Sequence, residues 1–348
     1  MESGVLKDFS NTKRSRIIDA NLDRAREGIR VIEDWCRFHL DNDERIKTLK
    51  DWRQRLGLLH HQNYKLARCT SSDQGIGLTH DAQKERKSCG ELISANCSRV
   101  QEALRVLEEF SRNSDPELAQ TSAEIRYSLY ELEITILKHS IHSTRTEKLK
   151  SCNLCLITSD QEGLIDTVLK SLTAGVKMIQ YRSKGKDDYT KFSEAKKISE
   201  LCKRFQSLLI INDRIDIALA INADGVHLGQ NDLPSSVARE LIGDQMIIGR
   251  STHSRKEVEL AAAEGCDYIG FGPIYRSDSK PNLKTVDTNF LSEISSITNL
   301  PWFAIGGINI DNVHRIKSLG VKKVAVINAI MNAKDPGKVS NQLIKSLL

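Results

Sequence analysis

The sequence predicts an α/β protein: a (β/α)8 TIM barrel preceded by an all-helical domain with an internal repeat. Three observations lead there. Up to about residue 146 the chain is rich in helix formers, has apolar residues at helical spacing and contains one proline, Pro116. Beyond that point short β-rich runs alternate with helical stretches, the grammar of repeated βα units. In the helical half, Ala20–Asp34 recurs as Ala95–Glu109, 75 residues on.

Each copy of the repeat continues into a second helical stretch, Ile46–Tyr64 and Glu117–Lys138, so the half resolves into two related hairpins. Asn21, Arg24, Glu27 and Arg30, and again Asn96, Arg99, Glu102 and Arg105, form a slanting polar stripe. The stripe suits a solvated ladder, a polar contact between the two copies, or a phosphorylated ligand held between Arg24 and Arg99. The polar run 144–150 suits a linker, which gives domains of 1–146 and 147–348.

In the second domain the strand candidates are Asn153–Thr158, Met178–Arg182, Leu208–Asp213, Gly225–Gly229, Ile247–Ser251, Tyr268–Pro273, Trp302–Ile308 and Lys323–Ile327. Helical stretches such as Tyr189–Phe205, Ile215–Ala223 and Lys256–Glu264 lie between them. Eight units in about 200 residues suit a closed barrel better than a doubly wound sheet.

Composition narrows the function. With 348 residues, 39% hydrophobic and 28% charged, the chain has the make-up of a globular protein. Its net charge of +5 is spread among 46 acidic residues, which argues against a nucleic-acid surface. No apolar run approaches the roughly 20 residues of a membrane span, and the start shows no secretory pattern, so the expected location is cytoplasmic. Eight cysteines are too few for a disulfide scaffold. Cys152 and Cys155 form a CxxC, expected as buried thiols on opposite faces of a strand.

A (β/α)8 barrel carries its chemistry at the C-terminal strand ends, and the polar clusters fall there. Strand two ends in Gln180, Arg182 and Lys184, cations suited to a polyanion. Asp213 after strand three and Asp232 after strand four are carboxylates at adjacent ends, suited to Mg²⁺. Ser251 ends strand five, and Ser277, Ser279 and Lys280 follow strand six. Gly307 after strand seven lets backbone N–H groups approach a phosphate, with Ile327 and Asn328 beside it after strand eight. These residues alone predict two anion sites, one clamped by Arg182, Lys184, Lys280 and Mg²⁺, the other at Gly307.

The ordered set Gln180-x-Arg182-x-Lys184, Asn212-Asp213, Gly225 to Asp232, Gly249-x-Ser251, Gly272 to Tyr275 with Ser277-x-Ser279-Lys280, and Ala304 to Ile308 resembles the thiamine-phosphate synthase family from about residue 152 to the end. The resemblance implies that Gln180, Arg182 and Lys184, with Asn212, Ser251 and Lys280, bind 4-amino-2-methyl-5-(diphosphomethyl)pyrimidine, and that His227 lies near its ring. It implies Mg²⁺ on Asp213 and Asp232. Ser277, Ser279, Gly307, Ile327 and Asn328 map to the thiazole phosphate site, and Arg182, Lys184, Ser251 and Lys280 are the catalytic candidates. The family's usual Thr-x-Thr is here Ser277-Asp278-Ser279, and its common Val-Ser is Ile327-Asn328.

The helical half is similar to a domain found ahead of this synthase in cyanobacterial-type proteins, related to a hydroxymethylpyrimidine-phosphate kinase family. It has no Walker A sequence. The expected partners are small-molecule substrates, with no nucleic acid, membrane or obligate protein partner. A thiazole tautomerase on the same barrel would need no diphosphate clamp, and a barrel without catalysis would serve as a binding module. Arg182, Lys184, Asp213, Asp232 and Lys280 together favour the synthase.

Overall fold

A computed structural model describes residues 2–40, 43–69, 89–276 and 284–348, without the side chains of 2–10 and 289. It divides into two units, Met1–Ile141 and His142–Leu348.

The first unit is helical: α1 (Glu2–Phe38), α2 (Asp43–Leu58), α3 (Gln62–Leu66), α4 (Cys89–Ser111) and most of α5 (Pro116–Ser151). The repeat brings α1 against α4. Gly28 lets the two approach, because a Cβ there would lie 2.5 Å from Val100 Cγ2. Leu22, Ala25, Ile29 and Ile32 bury against Cys97, Val100, Leu104 and Leu107. The two copies keep local detail as well: Asn21 Nδ2 donates to Ile17 O and Asn96 Nδ2 to Leu92 O, each at 2.8 Å. The polar stripe therefore does not act as one ladder. Asn21 is buried, whereas Arg24 and Arg99 are exposed and form no hydrogen bond or ion pair among the described residues.

Two boundaries differ from expectation. The helix expected over Ile46–Tyr64 stops at Leu58, and His60 turns inward to place Nε2 2.8 Å from the buried Asp19 carboxylate. The run 144–150 is no linker but the end of α5, which lacks glycine and proline there and buries Leu149.

In the second unit the strands are β1 (Leu154–Ile157), β2 (Met178–Tyr181), β3 (Leu208–Asn212), β4 (Gly225–Leu228), β5 (Ile247–Thr252), β6 (Tyr268–Phe271), β7 (Trp302–Ile305) and β8 (Val324–Val326). They pair in parallel in sequence order, and β8 closes on β1 with Cys155 beside Ala325. Around them lie α6 (Leu164–Thr173), α7 (Asp188–Arg204), α8 (Ile215–Ala220), α9 (Ser235–Ile242), α10 (Arg255–Ala263), α11 (Ile294–Ile297), α12 (Val313–Lys317), α13 (Asn328–Met331) and α14 (Pro336–Leu347). Outward strand residues such as Leu156, Ile179, Ile211 and Val226 pack on these helices; Cys155, Met178, Ile210, Tyr268 and Phe303 fill the inside.

β7 ends at Ile305, not Ile308, because Gly306 and Gly307 take φ of +106° and +61° and turn the chain over the barrel mouth. Cys152 and Cys155 are free, buried thiols. They do not face opposite sides: Cys152 precedes the strand, and both sit in the interior cluster.

The end of α5 belongs to this unit. Arg145 Nε donates to Asp224 at 3.0 Å and its NH1 to Gln245 O at 2.7 Å, while His142 Nε2 lies 2.8 Å from Asp267. Lys323 Nζ donates to Cys152 O at 2.7 Å. Among the described residues no helix is long and apolar enough to cross a membrane.

Candidate active site

A cavity of about 390 Å³ opens at the C-terminal strand ends. Its apolar floor is Cys155, Phe303 and Ala325, and its polar wall is Gln180, Asn212, His227 and Ser251. Strand alternation puts the wall there: Gln180, Asn212, His227 and Ser251 are inward positions on four successive strands.

The wall is internally bonded. Gln180, 4% exposed, donates through Nε2 to Asn212 Oδ1 at 2.7 Å. His227 Nε2 lies 3.0 Å from Ser251 Oγ and Nδ1 3.0 Å from the Tyr268 hydroxyl. The Tyr268 ring fits because position 249 is glycine; a Cβ there would come within 2.1 Å of the ring. Gln230 Nε2 donates to Ser251 O at 2.5 Å and anchors the strand end that carries Ser251.

Charge gathers on the rim. Arg182 follows β2, its backbone N–H donating to Thr158 Oγ1 at 2.8 Å. Burial lowers its pKa, although Asp213 and Asp160 act in the opposite direction. Lys184 is exposed, and Asp160 accepts from its backbone N–H and from that of Gly185, each at 2.9 Å. Asp213 follows β3 with φ of +62°, a conformation that aspartate tolerates better than most residues. Desolvation and a hydrogen bond with the Asp232 carboxyl push Asp213 up to about 6, against Arg182 and Lys184. Asp213 itself is exposed, so solvent screens the charges around it. Asp232 also accepts from Gly229 N at 2.6 Å. Among the described residues no group of three His, Cys, Asp or Glu side chains is arranged to hold a metal ion, so two carboxylates are the largest such set on this rim.

Across the mouth, Gly307, Ile327 and Asn328 line the same cavity. Asn312 Nδ2 donates to Gly307 O at 2.9 Å and holds the turn. A Cβ on Gly307 would lie 2.6 Å from Arg276 O, so the close chain approach requires glycine there. The candidates Ser277, Ser279 and Lys280 lie outside the described residues.

Sequence reasoning missed Tyr268, His253, Arg276 and Asn309, all of which line the cavity. Tyr268 had a signal in the alternation of β6, where it and Gly270 occupy inward positions. Arg276 and Asn309 sit in loops, where no period marks direction.

The comparisons with known proteins bear on this geometry. A family model described as thiamine monophosphate synthase matches residues 154–330, and one described as the ThiD2 family matches 16–135. A thiamine-phosphate synthase of Prochlorococcus marinus strain MIT 9313 is 51% identical over 100% of both chains. Another, from P. marinus strain SARG, is 57% identical over 96% of each.

The chain belongs to the thiamine-phosphate synthase family.

A thiamine-phosphate synthase of Synechococcus sp. strain CC9311 is 49% identical over 100% of both chains, so the similarity extends through the helical unit. The solved structure of a thiamine phosphate pyrophosphorylase from Pyrococcus furiosus matches with a TM-score of 0.53 at 34% identity, covering 58% of this chain and 96% of that one. Gln180 to Asn328, the whole span of the candidate site, falls inside the synthase match.

Proposed function

We propose that the barrel joins 4-amino-2-methyl-5-(diphosphomethyl)pyrimidine to a thiazole phosphate, giving thiamine phosphate and diphosphate. The observation that carries this reading is a cavity with an amide and hydroxyl wall, the Arg182 cation on its lining with Lys184 two residues on, and a glycine turn at Gly307. Gln180 and Asn212, locked together, offer amide groups to the aminopyrimidine edge, with Ser251 and His227 beside it. Gly307, Ile327 and Asn328, with Ser277 and Ser279 assigned from the sequence, receive the thiazole phosphate.

The donor set at Asp213 and Asp232 fits Mg²⁺. Two carboxylates crowded until one gains proton affinity are relieved by a dication, and Mg²⁺ takes one or two carboxylates with substrate oxygens and water. When bound, Mg²⁺ would supply positive charge to the diphosphate oxygens.

Arg182 and Lys184, with Lys280 assigned from the sequence, neutralise charge on the leaving diphosphate. The methylene carbon–oxygen bond breaks with its electron pair going to diphosphate, and the cation left behind is delocalised over the aminopyrimidine. The thiazole nitrogen lone pair then forms the new carbon–nitrogen bond. No side chain acts as nucleophile, and no net proton moves. The protein contributes positioning and electrostatic stabilisation, on the order of several kcal/mol in sites of this kind.

Incubating the pure protein with both phosphorylated substrates and Mg²⁺ tests the proposal. Thiamine phosphate identified by mass is the expected product. Its absence from folded protein, with both substrates returned intact, contradicts the proposal.

A further inference from the structure

We infer that Asp160, in the loop between β1 and α6, is a positioning residue for the diphosphate clamp: its carboxylate fixes the backbone that carries Arg182 and Lys184. The inference rests on the proposed role of those two cations toward diphosphate and adds the residue that orders them.

The loop after β2 has its backbone held from β1. Thr158, fully buried, accepts through Oγ1 from Arg182 N at 2.8 Å, and the same hydroxyl donates to Arg182 O at 3.1 Å. Two residues on, Asp160 Oδ2 accepts from Lys184 N and from Gly185 N, each at 2.9 Å. The far side of the loop is tied to α7, where Glu194 accepts from the Tyr181 hydroxyl at 2.9 Å and from Lys186 Nζ at 2.5 Å. Among the described residues the side chains of Arg182 and Lys184 make no hydrogen bond and no ion pair. The backbone is committed, and the two cations are left for a ligand.

Folding does not account for the Asp160 bonds. Asp160, Lys184 and Gly185 are all exposed, so water can satisfy these N–H groups without the carboxylate. Water does not hold two successive N–H groups in one arrangement, and a charge fixed in place acts on a leaving group without reorganising. A carboxylate beside an anion site also carries an electrostatic cost, and Asp160 is close enough to act on Arg182. The backbone bonds offset that cost. Both run to one oxygen, which an asparagine amide oxygen can replace without the charge.

Calorimetric titration of the full-length protein with inorganic diphosphate and Mg²⁺ reads the clamp without the transfer reaction. Asp160→Ala should weaken binding about tenfold, whereas Asp160→Asn should bind as tightly as the unmodified protein or tighter. In a Lys184→Met background the Asp160→Ala effect should shrink to less than about twofold, a coupling that a merely structural role would not produce. Circular dichroism checks that each variant folds. Unchanged binding in Asp160→Ala, an equal loss in Asp160→Asn, or the full loss in the Lys184→Met background overturns the inference alone. No diphosphate binding by the unmodified protein overturns it together with the clamp reading.

Discussion

The Tyr268 hydroxyl lies 3.0 Å from His227 Nδ1, and the opposite ring nitrogen of His227 lies 3.0 Å from Ser251 Oγ. A buried phenol thus sets the orientation of a histidine that in turn positions a hydroxyl on the cavity wall. Tyr268→Phe removes one hydrogen bond worth about 1 kcal/mol, so kcat should fall roughly fivefold with the fold intact. Steady-state kinetics beside a melting curve check this, and an unchanged kcat would show that Tyr268 does not position His227 for turnover.

Gly249→Ala acts on the same group through sterics. The added Cβ, 2.1 Å from the Tyr268 ring, forces the ring aside in a packed interior. Overpacking of this kind costs about 1–3 kcal/mol, and here it also breaks the His227 contact. A lower melting temperature and lost turnover are expected; equal stability in a denaturant titration would contradict the packing argument.

Asp213→Ala and Asp232→Ala should each lower turnover at least about a hundredfold, since each removes charge from the proposed Mg²⁺. Folding should be little affected in Asp213→Ala, whereas Asp232→Ala also loses the bond from Gly229 N and should be slightly less stable. Turnover measured across a Mg²⁺ series separates the effects: near-normal activity at limiting Mg²⁺ in either variant defeats the metal assignment.

The β-rich runs with helical segments between them were enough to predict the eight strands, because a closed parallel barrel demands that alternation. The rim residues Arg182 and Asp213 were legible for the same reason, since each directly follows a strand end, and Asp232 lies in the short loop after β4. The helix boundaries were harder. Nothing local stops α5 at residue 144, and its continuation is set by Leu149 burying itself and by Arg145 reaching Asp224. Arg276 and Asn309 enter the cavity from loops whose direction depends on the whole fold.

Arg145 and His142 make the starting residue of a shortened chain matter. A chain beginning at Thr146 keeps all eight strands but loses the Arg145 bonds to Asp224 and Gln245 O and the His142 contact with Asp267. It should melt lower than one beginning near Ile136, by about 2 kcal/mol of unfolding free energy for the lost charged hydrogen bonds. Equal denaturation midpoints would show that the end of α5 adds nothing to the barrel.

Asp267 gives the acid dependence. Burial alone would raise its pKa, but the hydrogen bond from His142, the Ile248 N–H and Arg239 outweigh burial and hold it below the ordinary 3.8. A carboxyl depressed in the folded state contributes stability above its unfolded pKa, and that stability is lost as pH falls through the folded value. Asp267→Asn should therefore destabilise the protein at neutral pH, with the difference shrinking below pH 3.8. Paired urea titrations across that range check the sign.

Counting both products in one reaction tests the proposed transfer most directly. Diphosphate and thiamine phosphate are quantified together after the protein meets both substrates with Mg²⁺. One diphosphate for each thiamine phosphate is expected, with turnover that collapses in Arg182→Met without loss of fold. Diphosphate released with no thiamine phosphate, or no product from a folded enzyme, would contradict it.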